Sequence, residues 1–386
     1  MFLSRTIEDI LANLRGSTEV IAVCDGGWAE PPIRDDPRVH VIYHPVAIGQ
    51  RAATNEAARV STARFVMKCD AHCAFDVGFD VKLMAACEPD WTVVPRMYNL
   101  HAFDWVCEHG GARTYQGPTP TACGTACGEA SRALGRPPSF RRDLVWKPRL
   151  RRRTDFWRFD HDLHFQYWGA YEERPEARGD VVDVMSSIGA CWFMPRARFV
   201  TLGGLDEGHG SWGQVGTEIA CKSWLSGGRH VVNRLTWFAH MFRTQGKDFG
   251  FPYPLSKAET DRARAYSQHL WIDGTWPGAT RKLSWLIAKF APVPGWAPER
   301  VAALEPDPLI QAPPPAAPLA VGSRDQAGAP ASPATDPSSA AGLTKGLGYY
   351  SDCRCDERIL SAARRQLMRC ANGNRIVSVT LRPVDF

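Results

Sequence analysis

Several features are missing from the 386-residue sequence. No apolar run reaches the roughly 18 residues that a membrane-spanning helix needs, which excludes an integral membrane protein. The start carries Glu8 and Asp9 within its apolar pattern and has no cleavage site of small residues, so it is not a secretory signal. The net charge of only +5 argues against nucleic acid as a partner, because nucleic-acid-binding proteins normally concentrate basic residues on one face. We therefore expect a cytoplasmic protein.

Twelve cysteines are present, and without an export signal we expect them to be reduced. Clustered cysteines are then read as metal ligands before disulfides. Cys107 with His109, and Cys123 with Cys127, form two short ligand pairs that are typical of a structural zinc knuckle. Their spacings are looser than a C-x2-C pair, so unligated thiols in a loop remain the alternative.

The first 80 residues alternate between strand and helix patterns. This alternation predicts a parallel sheet with helices on its faces, and in such sheets ligands bind beyond the carboxyl ends of the strands. Asp25 and Asp70 both stand at predicted strand ends. The predicted elements are strands at Glu19–Cys24, Val39–Tyr43 and Arg64–Cys69 and a helix at Gln50–Val60.

The rest of the chain divides by composition. Residues 1–300 are predicted to form one α/β unit with a Cys-rich insertion at about 101–160, which includes seven basic residues within Arg141–Arg153. Residues 306–345 are a Pro/Ala-rich linker, because 24 of the 32 residues at 311–342 are Ala, Pro, Gly or Ser. Residues 346–386 read as a short α/β element.

Asp70-Ala71-His72 follows the third predicted strand. Two side chains separated by one residue in an extended segment point to the same side, as two metal ligands require. A carboxylate and an imidazole suit a hard or borderline divalent ion. Taken alone, the motif is weak evidence for a metal site, because an Asp at a strand end more often caps the next helix.

The second half of the unit carries motifs that resemble a known family. In order they are Gly203–Glu207, Trp212–Glu218, Trp224, Gly227-Gly228 and His240-Met241-Phe242-Arg243. This series resembles the catalytic domain of glycosyltransferases with the GT-A fold, in particular the polypeptide N-acetylgalactosaminyltransferases within the broader family 2 style. The chain is also similar to uncharacterised bacterial and phage glycosyltransferases. The resemblance implies a Rossmann-like mixed sheet flanked by helices.

The resemblance also implies roles for individual residues. Asp25 matches the acid that holds uridine, Asp70, His72 and His240 match the metal ligands, and Arg243 matches the Arg that faces the donor diphosphate. Arg51 is counted with the donor-binding candidates. The implied cofactor is Mn2+, with Mg2+ as the alternative, and the implied donor is a nucleotide-diphosphate sugar with uridine as its nucleoside.

One matched motif departs from the family pattern. The family's W-G-G-E-N-x-E becomes Trp-Gly-Gln-Val-Gly-Thr-Glu at residues 212–218, so Val215 replaces an acid and Gly216 falls where inverting enzymes carry the base. Glu218 is then the first candidate for the base or for a sugar contact, and Asp206 and Glu207 are weaker ones. Trp212 is expected to stack on a sugar ring.

A strand is also missing where the family has one. GT-A chains open with an apolar strand, whereas this sequence starts with a helix pattern. One hypothesis is that Ile376–Leu381 fills the gap by pairing with the strand at Glu19–Cys24. The alternative is that the tail is the start of a second, truncated glycosyltransferase-like domain.

The sequence therefore favours a metal-dependent glycosyltransferase whose acceptor, a glycan, a lipid-linked group or a protein, is open. Two other functions are also compatible with the sequence. One is a catalytically degenerate GT-A module that binds carbohydrate, and the other is a zinc-containing nucleic-acid-binding protein.

Overall fold

The computed structural model describes residues 2–109, 111–122, 138–242 and 256–307, together with the backbone of two short strands near the end of the chain. Its helices are α1 Phe2–Asn13, α2 Gln50–Val60, α3 Phe79–Ala86, α4 Arg196–Thr201, α5 Val215–Leu225, α6 Lys257–Trp271, α7 Leu283–Lys289 and α8 Pro298–Ala302. Its strands are β1 Val20–Asp25, β2 Val39–His44, β3 Phe65–Cys69, β4 Cys73–Phe75, β5 Trp91–Cys107, β6 Arg113–Tyr115, β7 Phe140–Thr154, β8 Trp157–Phe159, β9 Phe165–Tyr167, β10 Val181–Asp183, β11 Cys191–Pro195, β12 Arg229–His240, β13 Ile376–Val377 and β14 Val379–Leu381.

The strands form a mixed α/β sheet, as the sequence predicted. One run has the order β2-β1-β14, all parallel, and a second has the order β13-β3-β11-β5-β12-β10. Strand β11 is antiparallel to both β3 and β5, whereas β12 is parallel to β5. The carboxyl ends of β1, β3 and β12 therefore meet at the same edge of the sheet, which is where ligands bind in open α/β sheets.

The strand hypothesis for the tail is confirmed. Ala22, Val23 and Cys24 of β1 pair with β14, and Phe65 and Val66 of β3 pair with β13, all in parallel. Because β13 and β14 are separated by a single residue, this segment of the chain lies between β1 and β3 and links the two runs. Isolated parallel strands are intrinsically weak, so a central strand here supports both of its neighbours.

The expected insertion is an antiparallel extension of β5 rather than α/β structure. The second half of β5 pairs with β7 along most of its length and with β6 at its end. The sequence pattern predicts two separate strands at Arg229–Val232 and Trp237–Phe242, but the structure has a single strand there, β12. The register shifts between Asn233 and Trp237, and this irregularity interrupts the apolar pattern without ending the pairing with β5.

The core lies between this sheet and its helices. Ile7 and Ile10 of α1 pack against the buried side chains of β3 and β11, as their helical spacing predicted. A second core, around Trp224 of α5 and Trp271 of α6, joins the carboxyl-terminal helices to the sheet. In the part of the chain that the structure describes, no helix combines the length and the hydropathy needed to cross a membrane.

Candidate active site

Three predicted metal ligands converge at the common edge of the sheet. Asp70 directly follows β3, His72 lies in the turn before β4, and His240 is the last residue of β12. The Nε2 atoms of His72 and His240 are 3.0 Å apart, and His240 Nε2 lies 3.1 Å from Asp70 Oδ2. All the candidate ligand atoms lie within 4.8 Å of one another, and this is the only such group among the described residues.

The two short distances, 3.0 Å and 3.1 Å, match the edges of a coordination polyhedron. An octahedral ion with bonds of about 2.1 Å places neighbouring ligand atoms about 3.0 Å apart. The Nδ1 of His240 has no hydrogen-bond partner within the described residues, so Nε2 is the atom that faces the cluster. A carboxylate with two imidazoles suits Mn2+ and related divalent ions. The donor set and its spacing therefore fit a metal, and one face of the set remains partly open to solvent.

Lys68 controls the charge state of Asp70. Its fully buried ammonium contacts Asp70 Oδ1 and donates to the Gly189 carbonyl at 2.8 Å. Burial acts to raise the pKa of Asp70, but Lys68 and the neighbouring His240 outweigh it and hold that pKa well below its usual range. Asp70 is therefore an anion at neutral pH, as a metal ligand has to be.

His72 is held in the neutral form that metal binding requires. Burial is the largest cause, and together with the electrostatic interaction with His240 it lowers the pKa of His72 to about 3. The backbone fixes the position of the ring, because Met241 N donates to the His72 carbonyl at 3.1 Å. This bond ties the turn that carries His72 to the end of β12.

Thr6 on α1 forms hydrogen bonds with the backbone of the same turn. Its buried hydroxyl donates to the Ala71 carbonyl at 2.8 Å and accepts from Cys73 N at 3.1 Å. One side chain thus clamps the peptide groups on both sides of His72. Asp9, one turn further along α1, accepts from Phe75 N at 2.7 Å. Helix α1 therefore anchors the loop that carries the candidate metal ligands Asp70 and His72.

Asp25 lies at the end of β1, but its carboxylate already has backbone partners. Oδ1 accepts from Ile48 N at 2.5 Å and Oδ2 from Gly49 N at 3.0 Å. Gly49 has a φ of 101°, which favours glycine, and it precedes α2. Asp25 thereby fixes the start of α2. The next residue, Gln50, reaches across to Asp70 Oδ1 at 3.4 Å.

Two of the expected site residues form a buried network instead. Arg51 Nε donates to Glu218 Oε2 at 3.0 Å, and Arg51 also donates to the carbonyls of Gly210 and Gly213. Lys222 Nζ lies 2.9 Å from Glu218 Oε1, and neither Arg51 nor Glu218 has a side chain exposed to more than 1%. This geometry argues against the expected donor contact of Arg51 and the expected catalytic contact of Glu218.

Gly216 stands where the family's base was expected, and the local packing explains the glycine. A Cβ on this residue would lie 1.8 Å from the Ser187 carbonyl oxygen and 2.9 Å from Gly189 N. The start of α5 thus packs directly on the backbone of residues 187–189. No side chain of any kind fits at this position.

Asp206 and Trp212 lie in the loops that precede α5. Asp206 Oδ1 accepts from Gly208 N at 2.9 Å, and its Oδ2 accepts from the Tyr266 hydroxyl at 3.1 Å. Asp206 thus caps the short 3-10 turn at Glu207–His209 while remaining partly exposed. Trp212 is half-buried in the loop just before α5.

Arg243, Cys123 and Cys127 lie outside the described residues. Cys107 is buried at the end of β5, and His109 follows it. The zinc knuckle therefore stays a prediction.

Sequence reasoning missed three residues that shape the site: Thr6, Gln50 and Lys68. Lys68 carried a readable signal, because a lysine inside an otherwise apolar buried strand needs a nearby anion. Gln50 directly follows the glycine that begins α2. Thr6 gave no signal, since a polar residue in an amphipathic helix is normally exposed to solvent.

Comparison with known proteins agrees with this fold. No protein-family profile and no curated protein matches the sequence. Among solved structures, the fold matches a crystal structure of GalNAc-T7 with UDP, GalNAc and Mn2+, with a TM-score of 0.51 and 15% sequence identity. The match covers 75% of this chain and 54% of that one, so this chain spans about half of its structural neighbour.

At this identity the likeness establishes the fold alone. The chain has the GT-A fold predicted from the sequence, a mixed sheet flanked by helices, and it carries an Asp-His-His group at the carboxyl edge of that sheet. The fold thus resembles that of a glycosyltransferase.

Proposed function

We propose that this protein is a metal-dependent glycosyltransferase that transfers a sugar from a nucleotide-diphosphate sugar, with UDP as the nucleotide, to an acceptor. The observation that carries the proposal is the convergence of Asp70 and His72 with His240, which lies far from them in the sequence. The neighbour's complex with UDP, GalNAc and Mn2+ supports the choice of donor and of metal.

Asp70, His72 and His240 would hold the divalent ion. The ion would act as a Lewis acid that neutralises the charge developing on the departing diphosphate. Lys68 keeps Asp70 ionised, and Thr6 holds the backbone around His72. These residues prepare the site before the donor arrives, which lowers the reorganisation that the reaction requires.

The remaining roles follow from position. We assign the nucleoside to the end of β1, next to Asp25. The tail segment lies between β1 and β3, so Asp25 and Asp70 stand at the carboxyl ends of strands on either side of it. Arg243, three residues beyond His240, would face the diphosphate as the resemblance implies. Trp212, partly exposed ahead of α5, would contact the sugar through its apolar ring face.

Neither Glu218 nor Gly216 is suited to act as the acceptor base. Glu218 is sealed between Arg51 and Lys222, and Gly216 has no side chain. Asp206, which is partly exposed, becomes the first candidate for the base. The same observation favours the second function, a carbohydrate-binding GT-A module that transfers nothing.

The test combines binding with turnover. Mn2+ binding is measured by electron paramagnetic resonance, and release of UDP from a panel of UDP-sugars is followed with and without Mn2+. We expect Asp70→Asn and His240→Gln to lose both properties, whereas His269→Ala, which removes an exposed histidine that pairs with Asp273, keeps both.

Three outcomes decide between the functions. Mn2+-dependent release of UDP supports the transferase. Binding of UDP-sugar without release supports the carbohydrate-binding module. Mn2+ binding that persists in both Asp70→Asn and His240→Gln would overturn the proposed metal site itself.

A further inference from the structure

The most basic segment of the chain lies beside the metal-ligand cluster. Across adjacent strands, Cys73 of β4 pairs with His240 of β12, His240 with Asn99 of β5, and Asn99 with Arg149 of β7. Paired residues on neighbouring strands point to the same face of a sheet. Arg149 is two interstrand spacings, about 10 Å, from His240 and lies on the same face.

Strand β7 has a bulge directly after Arg149. Its pairing with β5 jumps from Asn99 opposite Arg149 to Tyr98 opposite Arg153, so three residues of β7 have no partner on β5. These three residues are Leu150, Arg151 and Arg152, and all are exposed. Bulges often redirect side chains next to active sites. Here the bulge places Arg151 and Arg152 directly after Arg149, the residue in register with Asn99 and His240.

Four cations of this segment form no ion pair with an acid within the described residues. Lys147, Arg149, Arg151 and Arg152, which we call the basic ridge, are exposed, and none forms an ion pair with an acid among the described residues. Arg153, by contrast, pairs with Glu172 at 2.5 Å. Four like charges within six residues repel one another, and this repulsion is relieved when an anion binds.

One member of the ridge is already held in place. The Arg149 guanidinium lies 4.8 Å from the centre of the Tyr115 ring, and that ring lies 4.6 Å from the ring of His101. Stacking orders the planar guanidinium while leaving its edge free for oxygen atoms. The ridge is therefore partly organised for a ligand before one binds.

We propose that the basic ridge binds phosphate groups carried by the acceptor, so that the acceptor class is a phosphorylated molecule. This inference rests on the proposed function. The donor is an unsuitable occupant, because in the order of strands the ridge and Asp25 lie on opposite sides of Asp70. Arginine offers paired donors that match phosphate oxygens, and several arginines together favour a multiply charged anion.

Binding of fluorescein-labelled inorganic polyphosphate to the full chain tests the inference, measured by fluorescence anisotropy at about 50 mM and about 200 mM salt. We expect the triple variant Arg149→Ala, Arg151→Ala, Arg152→Ala to bind at least about tenfold more weakly. We also expect a salt dependence shallower by about one unit for each lost phosphate contact.

The matched control removes the same charge elsewhere. Arg59→Ala, Arg178→Ala and Arg300→Ala together delete three exposed arginines outside the ridge, and we expect wild-type binding. At the single-residue level, Tyr115→Leu should weaken binding and Tyr115→Phe, which keeps the ring, should not.

The outcomes separate this inference from the proposed function. An equal loss of polyphosphate binding in both triple variants would show that net charge alone attracts the polymer. It would overturn the assignment of the binding site to the basic ridge. Equal binding of polyglutamate of the same charge would overturn the choice of phosphate. Failure of the proposed function would appear elsewhere, as absent binding of Mn2+ and UDP-sugar by the unaltered chain.

Discussion

Two groups of ionisable side chains lie near the carboxyl edge of the sheet, and they differ in one respect. In the sealed cluster, Glu218 is enclosed by Arg51, Lys222 and His209, all with side chains exposed to 2% or less. In the metal-ligand cluster, His72 and His240 lie next to a single carboxylate, that of Asp70. Here 24% of the Asp70 side chain is exposed to solvent.

The difference lies in how each carboxylate is satisfied. Glu218 accepts from two cations and from Asp206 N at 2.5 Å, so its oxygens have no capacity for a ligand. In the metal-ligand cluster, the histidine Nε2 atoms face each other and Asp70, an arrangement that a cation would stabilise further. A charged cluster without spare donors supports the fold, whereas one with converging lone pairs can bind an ion.

The largest effect is expected in the sealed cluster. Glu218→Gln leaves two buried cations without their anion, and removing one partner of a buried pair costs about 3–5 kcal/mol. Urea unfolding measures this loss, with Glu176→Gln on the exposed surface as the control. A loss below about 1 kcal/mol would contradict the structural role of Glu218.

The pH dependence of stability follows from the same residue. Burial acts to raise the pKa of Glu218, but Lys222 and Arg51 lower it to about 2 from its ordinary value of 4.5. A lowered pKa stabilises the fold above pH 4.5, and this contribution is lost as the pH falls from 4.5 towards 2. Glu218→Gln should lack this part of the acid-induced loss.

The tail strand tests whether the metal-ligand cluster depends on a distant segment. Val379→Pro removes a backbone donor from a strand with neighbours on both sides, and we expect a loss of about 3 kcal/mol in unfolding free energy. Ala327→Pro, in the Pro-rich segment, is the control. Wild-type stability of Val379→Pro would show that the pairing of the tail contributes nothing.

Metal should stabilise the protein through one cluster only. At Mn2+ concentrations about 100 times the dissociation constant, binding adds about 2.7 kcal/mol to the unfolding free energy. Thermal unfolding with and without MnCl2 should show this gain in the unaltered chain and in His269→Ala, but not in His240→Gln. An equal gain in His240→Gln would place the ion elsewhere.

The smallest effect is expected at the clamp below His72. Thr6→Val keeps the shape but loses the hydrogen bonds to Ala71 and Cys73, which we expect to cost about 1–2 kcal/mol. The affinity for Mn2+ should fall about tenfold, as for other groups that orient metal ligands. Thr6→Ser, which keeps the hydroxyl, should restore the affinity. If Thr6→Ser restored the stability but not the affinity for Mn2+, the role of Thr6 in positioning His72 would be contradicted.

Much of the fold could be predicted from local patterns. Apolar periodicity located α2 at its observed bounds, and it placed β1, β2 and β3 within one residue or so of their observed ends. It failed at Asn233–Trp237, where an irregularity within one continuous strand looked like a break between two. Periodicity reports which side of an element is buried, and a bulge changes that side without ending the element.

The candidate site was predictable only in part. Asp70, His72 and His240 were found because strand ends and motif order carry a chemical signal. Arg51 and Glu218 were given functional roles because an alignment of motifs cannot distinguish a buried ion pair from an exposed catalytic acid. Burial depends on what packs around a residue, and in this chain those neighbours come from α2 and α5.

The sequence by itself determined the α/β class, the bounds of α2 and of β1 to β3, and the residues that can carry chemistry, since these depend on contacts between near neighbours in the chain. Tertiary structure decided which carboxylate stays open, where the basic ridge lies and how the tail joins β1 to β3. These features depend on pairings between residues that are distant in the sequence. Only the folded sheet determines their register.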